Sequence, residues 1–192
     1  MVKTENFGKL EIQSVDELRQ WLLNNHTQKE SVWLVTYKKE IIEKYVSVQQ
    51  VLDQLLCFGW IDGIRRKLDD ERTMQLISPR KVEHWSLTYK ERFTKLEKVG
   101  LVHQSGKNSV EASKKSGLWD FMDDVDNLII PEDLQFALTQ NTNALNFFNA
   151  LSKSNKRFTL RYLKLSKTET TRQKRINQIV ELAAQNRKVS GL

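Results

Sequence analysis

LCFGWIDGIRRKLDDERTMQLISPRKVEHWS, residues 56–86, decides the fold. Gly59 is a natural helix stop, and Trp60 to Arg66 and Thr73 to Ser78 read as two strands. The charged turn KLDDER, residues 67–72, joins them into a hairpin, and Pro79 ends the second strand. Because side chains alternate along a strand, Trp60 and Asp62 share one face, and Ile61 and Gly63 the other. The same stretch gathers Trp60, Trp85 and the arginines 65, 66, 72 and 80 on a turn-rich segment.

Toward the N-terminus, FGKLEI (residues 7–12) predicts a short strand. Ser14 with Glu17 forms a capping box for a helix whose stripe is Val15, Leu18, Trp21 and Leu22, running to about Asn25. SVWLVTYKK (31–39) predicts a strand with apolar residues on both faces, hence a central one. Ser47 caps the next helix, with Val48, Val51, Leu52, Leu55 and Leu56 as its buried stripe.

Beyond the hairpin, Glu83 to Val99 is helical in its later part, through Phe93, Leu96 and Val99, and Gly100 stops it. Residues 100–117 are polar and rich in Ser, Lys and Gly, which predicts a connector with a short helix from Ser109. Pro131, Thr142 or Asn143, Ser154 and Thr168 then open four helices. The expected class is α+β: a small mixed sheet with flanking helices, followed by a C-terminal helical bundle. The domains expected are 1–106 and 107–192.

The 192 residues are 39% hydrophobic, with five Trp and eight Phe, enough for a packed core. A single cysteine, Cys57, allows no internal disulfide. The N-terminus lacks the apolar run of a signal peptide, and no stretch reaches about 18 consecutive apolar residues, so the expected location is the cytoplasm. Net charge is +7, unevenly placed: residues 151–192 balance to +9 and residues 1–150 to −2. A basic C-terminal third points to an anionic partner, nucleic acid or an acidic lipid surface, or else to a solvated helix face.

Two constellations are candidates for function. Trp60, Asp62, Arg65, Arg80 and Trp85 with Lys38, at the end of the central strand, would line a pocket for an anionic small molecule. Arginine grips carboxylate or phosphate with two hydrogen bonds, and tryptophan offers a stacking surface. The alternative is an Asp62–arginine pair that fixes the hairpin, with both indoles in the core. The second constellation is Lys153, Lys156, Arg157, Arg161 and Lys164, whose spacing makes one basic stripe on a helix. Arg172, Lys174 and Arg175 at the start of the last helix oppose its dipole, a hint of an external anion. His26, His84 and His103 show no metal spacing, and Cys57 lies on an apolar stripe without a base. No phosphate loop, GxSxG or HExxH occurs. No catalytic residue, metal or cofactor is assigned, and an enzyme is the less favoured reading, with Asp62 or His84 as its acid or base.

Several blocks in order, WLVTYKK (33–39), DQLLCFGWIDG (53–63), SPRK (78–81), PEDLQFAL (131–138), FFNALSKSNKR (147–157) and ETTRQKRI (169–176), resemble the YdeI/OmpD-associated, or bacteriocin-protection, proteins. Residues 31–106 resemble the family's N-terminal part and about 129–190 its helical part. The resemblance implies a bacterial stress-response protein that confers tolerance of bacteriocins or cationic peptides. It transfers no catalytic residue.

Overall fold

The computed structural model describes residues 6–190, and the chain divides into two compact units between Asp120 and Phe121. The first unit runs β1 (Lys9–Glu11), α1 (Val15–Asn25), β2 (Val32–Tyr37), α2 (Val48–Phe58), β3 (Trp60–Lys67), β4 (Arg72–Pro79), α3 (Leu87–Lys98) and α4 (Gln104–Lys115). Its sheet has the order β1-β2-β4-β3. β1 is parallel to β2, and the other neighbours are antiparallel. The second unit is helical: α5 (Asp123–Asp126), α6 (Glu132–Thr139), α7 (Thr142–Ala150), α8 (Lys153–Lys164) and α9 (Glu169–Ala184). The class is α+β, as the sequence implies. Among the described residues no helix is long and apolar enough to cross a membrane.

Local signals set the element ends. Ser14 accepts the Glu17 backbone N–H while the Glu17 carboxylate accepts that of Gln13. Ser47 and Gln50 form a second reciprocal cap at the start of α2. Gly59 ends α2 in the left-handed region, φ 73°, where a Cβ would meet the Ser105 carbonyl at 2.9 Å. β2 is central, as its two apolar faces require: Leu34 on one side and Trp33 and Val35 on the other are all buried.

The polar stretch expected to be a connector is instead the twelve-residue helix α4, packed on α2 within the first unit. Its buried positions are Gly106, Val110 and Ser113, a helical spacing carried by small residues rather than apolar ones. The backbones nearly touch, since a Cβ on Gly106 would lie 2.4 Å from the Cys57 carbonyl oxygen. The boundary drawn at 106 therefore falls inside a helix, and the first unit extends to Asp120.

Leu18, Leu22, Leu34, Leu55, Phe58, Trp60, Ile77 and Trp85 belong to the core of the first unit. The second core gathers Leu134, Leu138, Phe148, Leu160, Leu163, Ile176 and Ile179. Asn141, Ser152 and Thr168 cap α7, α8 and α9 with their side chains. Past the end of α5, Leu128 adopts φ 60°, and the Ile129 N–H closes back on the Asp124 carbonyl at 2.8 Å. Glycine usually takes that position, and a left-handed leucine costs roughly 1–2 kcal/mol. Its side chain packs against the second core, which offsets the cost.

Candidate functional site

The hairpin brings part of the first constellation together. Asp62 pairs with Ile77 and Arg65 with Gln75, so β3 carries one residue more than β4 across a bulge at Gly63–Ile64. β3 is the edge strand, where bulges commonly re-aim side chains. Asp62 accepts the Gln75 side-chain amide at 3.1 Å and the Tyr89 hydroxyl at 2.8 Å. Tyr89 comes from α3, one turn before Phe93, and links that helix to the edge strand. Burial, and then the bond to Asp62, push its phenol up to about 12.

Arg80, just past β4, lies beside this group. Its guanidinium sits 4.0 Å from the Trp85 ring centroid and 5.5 Å from that of Tyr89. The side chain is only 3% exposed. Nη2 donates to the His84 carbonyl at 3.3 Å and lies 3.8 Å from the Glu83 carboxylate, beyond hydrogen-bond reach. Nε and Nη1 have no partner, and neither do Trp60 Nε1 and Gln75 Oε1, two further buried atoms on the same part of the sheet. Burial pulls Arg80 below an arginine's ordinary pKa, while Glu83, Tyr89 and Asp62 act against the shift. A buried cation carries a desolvation cost of several kcal/mol, which ordinary proteins offset by filling every donor. Here two donors stay unfilled.

The indoles are core residues. Trp60 is 1% exposed and meets Trp21 edge-on at 5.4 Å. Trp85 is 0% exposed, donates Nε1 to Ser113 Oγ at 2.9 Å, and packs against Phe93 and Trp119. Neither ring has a free face for a ligand. Arg65 is exposed on β3, and Arg66 points to the other face, over Trp33. Lys38 is at the opposite end of the sheet, because β2 runs antiparallel to β4 and Tyr37 pairs with Arg72. Arg72 and Pro79 are the two ends of the eight-residue β4, about 23 Å apart. Lys38 instead holds the hairpin turn through the Asp70 carbonyl. Cys57 is fully buried and its thiol is pushed up by burial, as befits a packing residue.

The basic stripe of α8 is divided. Lys164 pairs with Asp124 at 2.5 Å and lies over Phe121. Arg157 donates to the Asp126 carbonyl, and Lys156 lies 6.0 Å from the Phe148 ring centroid. Lys153 and Arg161 are exposed. Two of the three cations at the start of α9 have internal roles too, while Lys174 is exposed. Arg172 grips Asp133 of α6 with two bonds, at 2.6 and 2.9 Å, and Arg175 donates to the Tyr162 carbonyl. Asp133, unremarked in the sequence, supplies the anion that the helix start calls for.

Among the described residues no three His, Cys, Asp or Glu side chains gather as a metal site would require. Residues 10–109 match the family model described as Domain of unknown function (DUF8412). Residues 127–186 match the model described as Bacteriocin-protection, YdeI or OmpD-Associated. The first match spans more than half of the chain. No curated protein and no solved structure matches it. The chain therefore belongs to the DUF8412 family and carries a YdeI/OmpD-associated domain as its helical unit.

Proposed function

We propose that the protein is a bacterial tolerance factor against bacteriocins or cationic peptides, and that it acts by binding an anionic group at Arg80. The observation that carries this reading is the buried guanidinium with Nε and Nη1 unpartnered. An oxygen of a carboxylate or phosphate would make a charge-assisted bond to Nε–H or to Nη1, donors on different sides of the guanidinium that Glu83, at 3.8 Å, leaves unfilled. Asp62 is turned away from this task, since Gln75 and Tyr89 already occupy its two oxygens. The tolerance role rests on the family match of the helical unit.

Thermal unfolding and calorimetry with phosphate, sulfate, simple carboxylates and nucleotides test the reading. At a hundred times its Kd, the cognate anion should stabilise the protein by about 2.7 kcal/mol. Arg80→Gln should abolish the effect and Arg80→Lys should weaken it, because lysine keeps the charge without the planar fork. If no anion yields heat or stabilisation, the reading fails.

A further inference from the structure

The helical unit contains a cavity of about 220 Å³ lined by Asp124, Val125, Ile129, Pro131, Leu160, Lys164 and Arg172. We infer that it is a second binding site, for a small carboxylate with a short apolar body, held between Lys164 and Arg172. A cavity near 150 Å³ already holds a molecule the size of benzene, so the space suits a ligand of about eight to ten heavy atoms.

The lining divides by chemistry. Val125, Ile129, Pro131 and Leu160 supply apolar lining, and Lys164, Arg172 and Asp124 the charged lining. Each cation keeps donors in hand. Lys164 has three N–H groups and gives one to Asp124; Arg172 commits Nε and Nη2 to Asp133, which leaves Nη1. Those pairs also fix both heads in place, so little ordering cost is left for binding. The wall is shaped by the left-handed Leu128, whose turn carries Ile129 to the rim, where it is 59% exposed. A left-handed leucine where glycine would serve is the kind of backbone cost that gathers at binding sites.

The local charges nearly cancel, Lys164 against Asp124 and Arg172 against Asp133. Binding must then come from directed hydrogen bonds and apolar burial rather than from net field. Charge alone is therefore insufficient, and inorganic phosphate should be a poor ligand here. Asp124 also lines the cavity; its oxygens already accept from Lys164 Nζ and the Val125 N–H but keep lone pairs for an ammonium, so the same carboxylate chemistry fits a free fatty acid or an aliphatic amino acid.

The test is calorimetry and ¹H–¹⁵N NMR on the full chain with 4-methylpentanoate, leucine and inorganic phosphate as probes. A Kd of about 1 mM or tighter is expected for 4-methylpentanoate, leucine or both, with shifts centred on Val125 and Ile129. Leucine tighter than 4-methylpentanoate assigns Asp124 an ammonium; the reverse order assigns a simple acid. Ile129→Trp, which fills the mouth from an exposed position, should weaken binding at least tenfold while the protein stays folded. Lys164→Met should weaken it as well. Absence of saturable binding by both organic probes overturns the inference. So does binding that survives Ile129→Trp unchanged, or phosphate shifting the same residues as strongly.

Discussion

The two units use positive charge in opposite ways. The helical unit, with 11 Lys/Arg against 7 Asp/Glu, carries +4, and three of its cations are answered by its own groups: Lys164 by Asp124, Arg172 by Asp133, Arg175 by the Tyr162 carbonyl. The sheet unit, with 20 Lys/Arg against 17 Asp/Glu, carries +3 over its longer stretch, and it contains a guanidinium that is buried and half-answered. Net charge thus barely separates the two units, whereas unfilled hydrogen-bonding capacity points to the sheet unit. Desolvated donors cost free energy wherever they sit, whereas exposed lysines and arginines cost little, so the second signal is the more specific.

The largest effect that could break this contrast is at Trp85. As a core indole it should lose about 3–5 kcal/mol of stability on Trp85→Ala in urea unfolding. A loss near zero would return the ring to a ligand-facing role. Next is Gly106→Ala, where the added carbon must push α4 off α2; a cost of about 1–3 kcal/mol is expected, read by the same unfolding curve. A neutral result would mean that α4 is only loosely held.

Arg80→Met sharpens the contrast from the other side. Replacing a buried ion whose donors are unfilled by an apolar side chain of similar length should leave stability unchanged or raise it by about 1 kcal/mol, while anion binding disappears. Arg172→Met, which orphans Asp133, should instead destabilise by up to about 1 kcal/mol, since that pair is partly exposed.

The smallest expected effect is in acid. Burial, then His26 and Arg19, hold His103 below the ordinary histidine range. Its neutral form is favoured in the folded state, so that contribution is complete above about pH 6.5 and is lost as pH falls toward the folded value. In the helical unit the Arg172 bonds hold Asp133 below the usual carboxylate range. That contribution is complete above about pH 4 and is lost only as pH falls through the depressed value. All five tryptophans lie in the first unit, so their fluorescence should soften at milder acidity than the methyl resonances of Leu134 and Ile176. Coincident acid transitions would remove this distinction.

Much of the architecture could be read from residues that act locally. Ser47, Ser14 with Glu17, Gly59, and the KLDDER turn each fix backbone geometry within a few positions, and each lies where the sequence implies. α4 escaped because Gly106 and Ser113 pack by being small, which leaves no apolar periodicity. Alternation along β3 correctly places Trp60 and Asp62 on one face. It says nothing of strand direction, so it cannot separate Lys38 from Arg80, which antiparallel pairing puts at opposite ends of the sheet. Tyr89 could have been noticed, four residues before Phe93 on the same helical face. Gln75 and Asp133 could not, because their partners, Asp62 and Arg172, are met only in the folded chain.

The most direct measurement is the Arg80 side-chain Nε–H resonance in a ¹H–¹⁵N spectrum during titration with phosphate. Saturable movement of that resonance, absent from Val125 and Ile129, is the expected result. A resonance that stays still while phosphate acts elsewhere would show that those donors never meet an anion.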